Sequence, residues 1–525
     1  MEFCSYDINS FSLSEKVGQL IITYINGTAV DKKIECFIRE NLIGGILLFN
    51  WSNSLESPEQ IKKLTDQLQN EAIKNNLPPF FIAADQEGGA VVRFKNGFTE
   101  FPGNRSLGIA ESVALTKQAY QVMGREMRQV GANFAFAPVV DVNSNPDNPV
   151  IGVRSFGDDP ELVAKLGTAA VEGFSEAGII SCIKHFPGHG DVSVDSHLKL
   201  PTSNKTIEEL QKSDLIPFAH INNLSPAIMT AHISIPSIDE RCATLSKPIL
   251  TDLLRKKMGY KGLILSDSLT MGGIVEQCGD IGEAAVQAFE AGCDLLVVVG
   301  GKKTTKYDPS INDENMDPRS QHIQDIRAIR LALIQAIKTN RISIDRLHES
   351  LTRIMEAKEK YIAAKQHESI RDFIVEPELN NLIAEKSIKV VRYHVGFPFK
   401  VPESMLISTS SMFEIVNKSL FRQVPHLFFE GLNPDSRNFL KVLNGSYSFQ
   451  SIIFLSVNAW QNQGQKDLIQ QLSSQFPIML IALKDSRDAD LAPNAKIIIT
   501  TSSPTSVALN AVSNELDRLN ESSRH

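Results

Sequence analysis

Eight short, nearly unbroken apolar runs are spaced along the first 300 residues, each followed by a stretch of helical character. The runs are QLIITYI (19–25), GGILLF (44–49), FFIAAD (80–85), FAFAPVVDV (134–142), IISCIKHF (179–186), AIMTAHI (227–233), LILSDS (263–268) and LLVVVG (295–300). Strands with one wet face alternate apolar and polar residues. Continuous runs predict strands buried on both faces, as in a parallel sheet covered by helices. The intervening segments, such as PEQIKKLTDQLQNEAIKNN (58–76) and ALTKQAYQVMGREMRQVG (114–131), carry amphipathic helical spacing. Eight strand-then-helix units predict a (β/α)8 barrel. The competing arrangement is an open doubly wound sheet, but no GxGxxG follows the first run. Asp85, Asp141, Lys184, His185, His232 and Asp267 all fall at C-terminal strand ends. In a barrel those ends converge on one face, where active sites are built.

The eighth run leads into a polar, aperiodic stretch (301–320), expected to be a long loop on the rim of that face. Helical patterns follow at about 320–338 and 343–365. The second places Leu347, Leu351, Ile354 and Met355 on one side, a face for packing against the barrel. A second alternation then appears, with strand candidates SMLIST (404–409), HLFFE (426–430), SIIFLSV (451–457), PIMLIAL (477–483) and KIIITT (496–501). Helical patterns at about 411–421, 434–443, 465–475 and 504–518 separate them. The expected organisation is an α/β chain: a catalytic (β/α)8 TIM barrel with its connecting helix over 1–372, then a smaller layered α/β domain with a parallel sheet over 385–525.

With 42% apolar and 22% charged residues, the composition rules out a disordered chain. Fifty-three Lys and Arg against 61 Asp and Glu give a net charge of −8, which argues against nucleic acid as a partner. No window approaches 18 uncharged apolar residues, so no membrane span is expected. The first residues lack a basic segment followed by an apolar one, and a cytoplasmic location is the expectation. The six cysteines include no CxxC pair and read as reduced thiols. Two tryptophans argue against a long polysaccharide groove lined with aromatic platforms.

The densest chemistry lies in KHFPGHGDVSVDSHLKLP (184–201). Gly188 and Gly190 allow tight turns. Lys184 and His185 would point inward from the strand end. Asp195 and His197 stand two apart on the loop beyond, and a carboxylate beside an imidazole can orient the ring and leave its other nitrogen free to exchange protons. A metal site built from His185, His189 and His197 with Asp191 and Asp195 is a rival, although the spacing is not that of an HExxH helix. His185 and His189 can also serve simply to satisfy buried backbone groups. Asp267, in SDSLTM (266–271), can act as a nucleophile, a base or a helix cap. DQEGGAVVRF (85–94) contributes Asp85 and Arg93, and NPVIGVRSFG (148–157) contributes Arg154.

These motifs together, with FTEFPGN (98–104) and FAPVVDV (136–142), resemble glycoside hydrolase family 3, and within it the β-N-acetylglucosaminidase branch. The resemblance is strong over residues 12–300 and extends to the rest only in general layout. It implies Asp267 as the nucleophile, His197 as general acid/base with Asp195 as its dyad partner, and Asp85, Arg93, Arg154, Lys184 and His185 as the pocket for a terminal sugar. Ser268 stands where the family often has a second acidic residue. The implied activity is retaining removal of a non-reducing terminal N-acetylglucosamine from small carbohydrates, cell-wall fragments among them, with no cofactor and no metal. Phosphorolysis by the same residues, a β-glucosidase of the same family, a catalytically silent sugar-binding barrel and a metal-dependent hydrolase are the alternatives. The oligomeric state does not follow from these motifs.

Overall fold

The computed structural model describes residues 6–194, 200–299, 318–362, 375–394, 403–435 and 449–522. Eight strands form the first sheet: β1 (Ile21–Thr23), β2 (Gly45–Leu47), β3 (Phe81–Ala84), β4 (Phe134–Ala135), β5 (Ile180–Phe186), β6 (Ala227–Thr230), β7 (Leu263–Leu265) and β8 (Leu296–Val298). Every pairing is parallel, and β8 returns to pair with β1. The ring closes between β7 and β8 through a bridge from Leu265 to Leu295 and a 3.0 Å bond from Ser266 N–H to the Leu295 carbonyl. Every residue of these strands is buried, as the unbroken apolar runs require. The expected barrel is therefore present. A short antiparallel hairpin (Ser234–Ile235 with Asp239–Cys242) is added after β6.

The helices start where the sequence places caps. Ser57, Ser112 and Asp159 accept N–H bonds at the starts of Pro58–Lys74, Val113–Gln129 and Pro160–Glu176, each cap contributing about 1 kcal/mol. Two of these helices also begin with proline, whose missing N–H costs nothing there. The connecting helix, Ile344–Tyr361, buries Leu347, Leu351 and Ile354 completely against the barrel, while Met355 is partly covered. Its Arg346, Ser350 and Arg353 converge with Arg255 on the buried Asp294 at the start of β8. Asp294 also accepts the Ile264 N–H of β7 at 3.0 Å. Burial opposes ionisation of Asp294, but the arginines outweigh it and hold the carboxyl below the usual range.

The second sheet has six strands: β9 (Lys389–Tyr393), β10 (Ser404–Thr409), β11 (His426–Phe429), β12 (Ser451–Ser456), β13 (Ile478–Ala482) and β14 (Ile497–Thr500), in the order β9-β14-β13-β12-β10-β11. The five expected strands are parallel. The expectation of a wholly parallel sheet is corrected by β9, which pairs antiparallel with β14 at the edge. The helix expected over 411–421 is also corrected. It is a short helix, Phe413–Asn417, flanked by 3-10 turns at Ser410–Met412 and Leu420–Gln423. Ser419 breaks it by capping the second turn, accepting the Phe421 N–H at 3.2 Å. The helices at Gln463–Gln475 and Ser506–Ser522 match their patterns. Most of the rim loop and of the pattern at 434–443 lies outside the described residues.

The two sheets are joined by more than the chain. Helix Pro377–Ser387 packs on both Asn104–Ala110 of the barrel and Ser506–Ser522 of the second layer. Asn380 donates to the Glu100 carbonyl at 3.0 Å, and Arg487 donates to Asp147 at 2.7 Å.

Candidate active site

The C-terminal ends of the barrel strands open into a cleft of about 630 Å³. Asp85, Arg93, Arg154, Lys184, His185 and Asp267 all line it. Six of the eight residues singled out from the sequence are thus brought together from four strand ends. Asp195 and His197 lie outside the described residues.

The floor is a buried charge network. Lys184, 2% exposed, donates to Asp85 Oδ1 at 3.0 Å and approaches Glu87 Oε1 at 2.6 Å. Arg93 donates to Asp85 Oδ2 at 2.9 Å, and its guanidinium lies over the Phe49 ring. Arg154 grips Glu87 with two bonds of 2.8 Å. Burial alone would push both carboxyls up. Lys184 and Arg93 outweigh that effect at Asp85 and hold it well below the carboxylate range. Arg154 and Lys184 do the same at Glu87, held down to about 2. Three cations and two ionised carboxylates therefore present fixed donors and acceptors to a polyhydroxyl ligand, with little reorganisation on binding.

His185 is oriented from behind. The fully buried Asp141 sits 2.7 Å from its Nδ1 and accepts the backbone N–H groups of His185 (3.1 Å) and His189 (2.7 Å). Burial opposes ionisation of Asp141, but His185 and the other donors prevail and keep it a carboxylate. An ionised carboxylate only accepts, so Nδ1 carries the proton and Nε2 is the nitrogen left for the cleft. His189 also lines the cleft, and among the described residues neither of its ring nitrogens has a hydrogen-bond partner. Burial pushes its pKa down to about 4. The glycines of this motif are needed sterically. Gly188 has φ +129°, and a Cβ on Gly190 would stand 1.8 Å from the Val142 carbonyl oxygen.

Asp267 follows β7. Its backbone N–H reaches Thr230 Oγ1 at 3.4 Å, and its Oδ1 accepts the Ser268 N–H at 2.7 Å. Ser268, in place of an acidic residue, ties this loop to β8: its Oγ donates to the Val299 carbonyl at 3.0 Å and accepts the Val299 N–H at 3.2 Å. His232 holds the loop from the other side, with Nδ1 2.7 Å from Thr244 Oγ1 and Nε2 2.9 Å from the Ser268 carbonyl. The carboxylate is thus carried on a loop pinned to two neighbouring strands.

Sequence reasoning missed Glu87 and Asp141 as parts of this site. Glu87 lies in the same DQEGG motif as Asp85, and in the sequence Asp141 reads only as a strand-end residue. Among the described residues no group of three or more His, Cys, Asp or Glu could hold a metal ion. Of the rival metal ligands, His185 is engaged by Asp141, and Asp191 accepts from Ser203 at 3.0 Å.

A parallel barrel that gathers a carboxylate and a fixed network of cations and acids into one cleft at its strand ends has the layout of a barrel enzyme. Residues 12–357 match the Glycosyl hydrolase family 3 N terminal domain, and the chain belongs to glycoside hydrolase family 3. It is 38% identical over 338 residues to the β-hexosaminidase A of Pseudoalteromonas piscicida, covering 61% of this chain and 53% of that protein. The chain thus spans about half the length of that relative. A β-hexosaminidase of Alkalilimnicola ehrlichii is 35% identical over 314 residues, 58% of this chain and 86% of its own. Among solved structures, a family 3 β-N-acetylglucosaminidase from Paenibacillus sp. str. FPU-7 superposes with a TM-score of 0.85 at 32% identity, covering 97% of each chain.

Proposed function

We propose that this protein is a retaining, exo-acting β-N-acetylglucosaminidase that releases non-reducing terminal N-acetylglucosamine, with cell-wall fragments as its substrates. The observation that carries the reading is the placement of Asp267 in one cleft with the Asp85–Lys184–Glu87–Arg154 network. Its likeness to β-hexosaminidases supports the choice of sugar. In this account Asp85, Arg93, Arg154, Lys184 and His185 bind the hydroxyls of the terminal sugar and fix its anomeric carbon against Asp267. The Asp267 carboxylate attacks that carbon and forms a glycosyl-enzyme. His197, with Asp195 as its partner, protonates the departing oxygen and then activates the water that releases the sugar.

The test is turnover of aryl β-N-acetylglucosaminide against aryl β-glucoside, each with and without phosphate. Hydrolysis of the acetamido substrate with kcat/KM at least about 100-fold above the glucoside is expected. Equal kcat/KM on both, or a sugar phosphate as the product, contradicts the reading. His197→Ala is expected to slow substrates with poor leaving groups far more than activated aryl glycosides, since only the former need the proton. Equal losses on both would make His197 structural.

A further inference from the structure

A second cleft, of about 320 Å³, lies between the barrel and the smaller layer and shares Val150 and Arg154 with the sugar cleft. Its barrel wall comes from the segments after β3 and β4, including Arg105 and Asn148. Its opposite wall holds Asn458 and Trp460 after β12, Lys484 and Arg487 after β13, and Ser502 after β14. Both sheets therefore turn the carboxyl ends of parallel strands toward it, the edge where α/β sheets bind ligands.

The charges in this cleft do not cancel. Arg154 is paired with Glu87, Arg487 with Asp485 and Asp147, and Arg105 lies 3.8 Å from Asp158. Lys484 is partly buried, and no carboxylate among the described residues pairs with it; burial pushes its ammonium below the usual lysine range. Trp460 adds a second unmet donor. Its indole Nε1–H is buried and has no acceptor among the described residues, and the Arg487 guanidinium covers its ring at 3.2 Å. Asn458 (φ +49°) and Ser502 (φ +52°) hold left-handed backbone on the same wall, a conformation that non-glycine residues keep where surrounding structure imposes it. An unpaired ammonium and an unmet N–H drawn out of water are both costly, and an oxyanion is the class of ligand that pairs with donors of both kinds.

We propose that the cleft between the two domains is an oxyanion-binding site, assembled by Lys484 and Trp460 and continuous with the sugar cleft through Arg154. Two sources carry the required chemistry: a carboxylate on the part of the glycan beyond the terminal sugar, or free inorganic phosphate. The site itself does not depend on the proposed activity; the carboxylate source rests on that reading.

Trp460 supplies the readout. The chain has two tryptophans, so Trp51→Phe leaves Trp460 alone to report by fluorescence. In the full-length protein carrying Trp51→Phe and Asp267→Asn, which prevents turnover, three ligands are titrated. They are inorganic phosphate, the disaccharide of N-acetylglucosamine β-linked to N-acetylmuramic acid, and chitobiose as its neutral counterpart. A saturable change with phosphate assigns the site to the free anion. A response to the muramic disaccharide, with phosphate silent and chitobiose at least about tenfold weaker, assigns it to the glycan carboxylate. Either response is expected to weaken about tenfold or more in Lys484→Met, the cost of one charge-assisted hydrogen bond. In the otherwise unaltered protein, Lys484→Met is expected to leave kcat on an aryl substrate within about twofold. Lys484→Gln serves if the methionine variant is unstable. Silence with both anions, equal affinity for the two disaccharides without a phosphate response, or unchanged affinity in the Lys484 variants overturns the proposal. A protein that binds an anion here but turns over no aryl N-acetylglucosaminide keeps the site and loses the glycosidase reading.

Discussion

Glu87 is buried between Lys184 and Arg154, and each pairing partner also belongs to the sugar cleft. Replacing it by glutamine leaves a surplus of buried positive charge. Glu87→Gln is therefore expected to lower kcat/KM by about 100-fold and to destabilise the fold by about 3 kcal/mol, read by kinetics and denaturant unfolding. A variant of native stability and activity would show the network to be dispensable. Asp141 acts through His185. In Asp141→Asn an amide oxygen can still accept the His185 and His189 N–H groups, but the amide N–H₂ faces the imidazole Nδ1–H and turns the tautomer over. Asp141→Asn is expected to raise KM about tenfold or more with a smaller change in kcat, while Asp141→Glu restores part of the affinity. An unchanged KM would remove Asp141 from the account. Asp85 was legible in the sequence because it ends an apolar run at a place where a charge has no structural excuse. Glu87, two residues on, reads as loop, and only the fold reveals that the turn brings it back over Lys184.

The elements were legible to the extent that burial writes itself into the sequence. The eight barrel strands are apolar throughout because both faces are covered. β9 is different. KVVRY lies at a sheet edge with no residue fully buried, so it lacks the unbroken run that marks the others. Helix Val113–Gln129 contributes an element-level prediction. Its Glu126 is buried and accepts the Thr99 N–H at 3.1 Å, next to Glu376, whose backbone N–H donates to Thr99 Oγ1. Burial, opposed by the Thr99 bonds, raises the Glu126 pKa to about 7. A folded-state pKa above the unfolded value means that the native state takes up the proton more readily. That stability is fully present below about pH 4 and is lost as pH rises through 7, a change of about 3 kcal/mol. Thermal unfolding from pH 5 to 8 is expected to show this decline, and Glu126→Gln is expected to flatten it. An equal slope in the variant would place the effect elsewhere.

Across the whole molecule, every described residue that lines the sugar cleft belongs to the barrel. The second layer meets the barrel through Pro377–Ser387, the Arg487–Asp147 pair and the cleft between the sheets. The sequence offered the layout of this layer but no hint of that cleft, because Arg105, Trp460 and Lys484 are far apart along the chain and each is ordinary in its own segment. A protein ending at residue 372 is expected to hydrolyse a small aryl substrate with kcat within about tenfold of the full chain. If it is folded by circular dichroism and yet loses kcat by orders of magnitude, the barrel does not suffice for catalysis.

Everything in the proposed chemistry passes through one carboxylate, so trapping the intermediate tests it most directly. The protein is incubated with a 5-fluoro-N-acetylglucosaminyl fluoride, which forms a glycosyl-enzyme that turns over slowly, and the labelled peptide is sequenced by mass spectrometry. The account predicts one sugar per chain, on Asp267 within SDSLTM, and no label on Asp267→Ala. A label on any other carboxylate contradicts it.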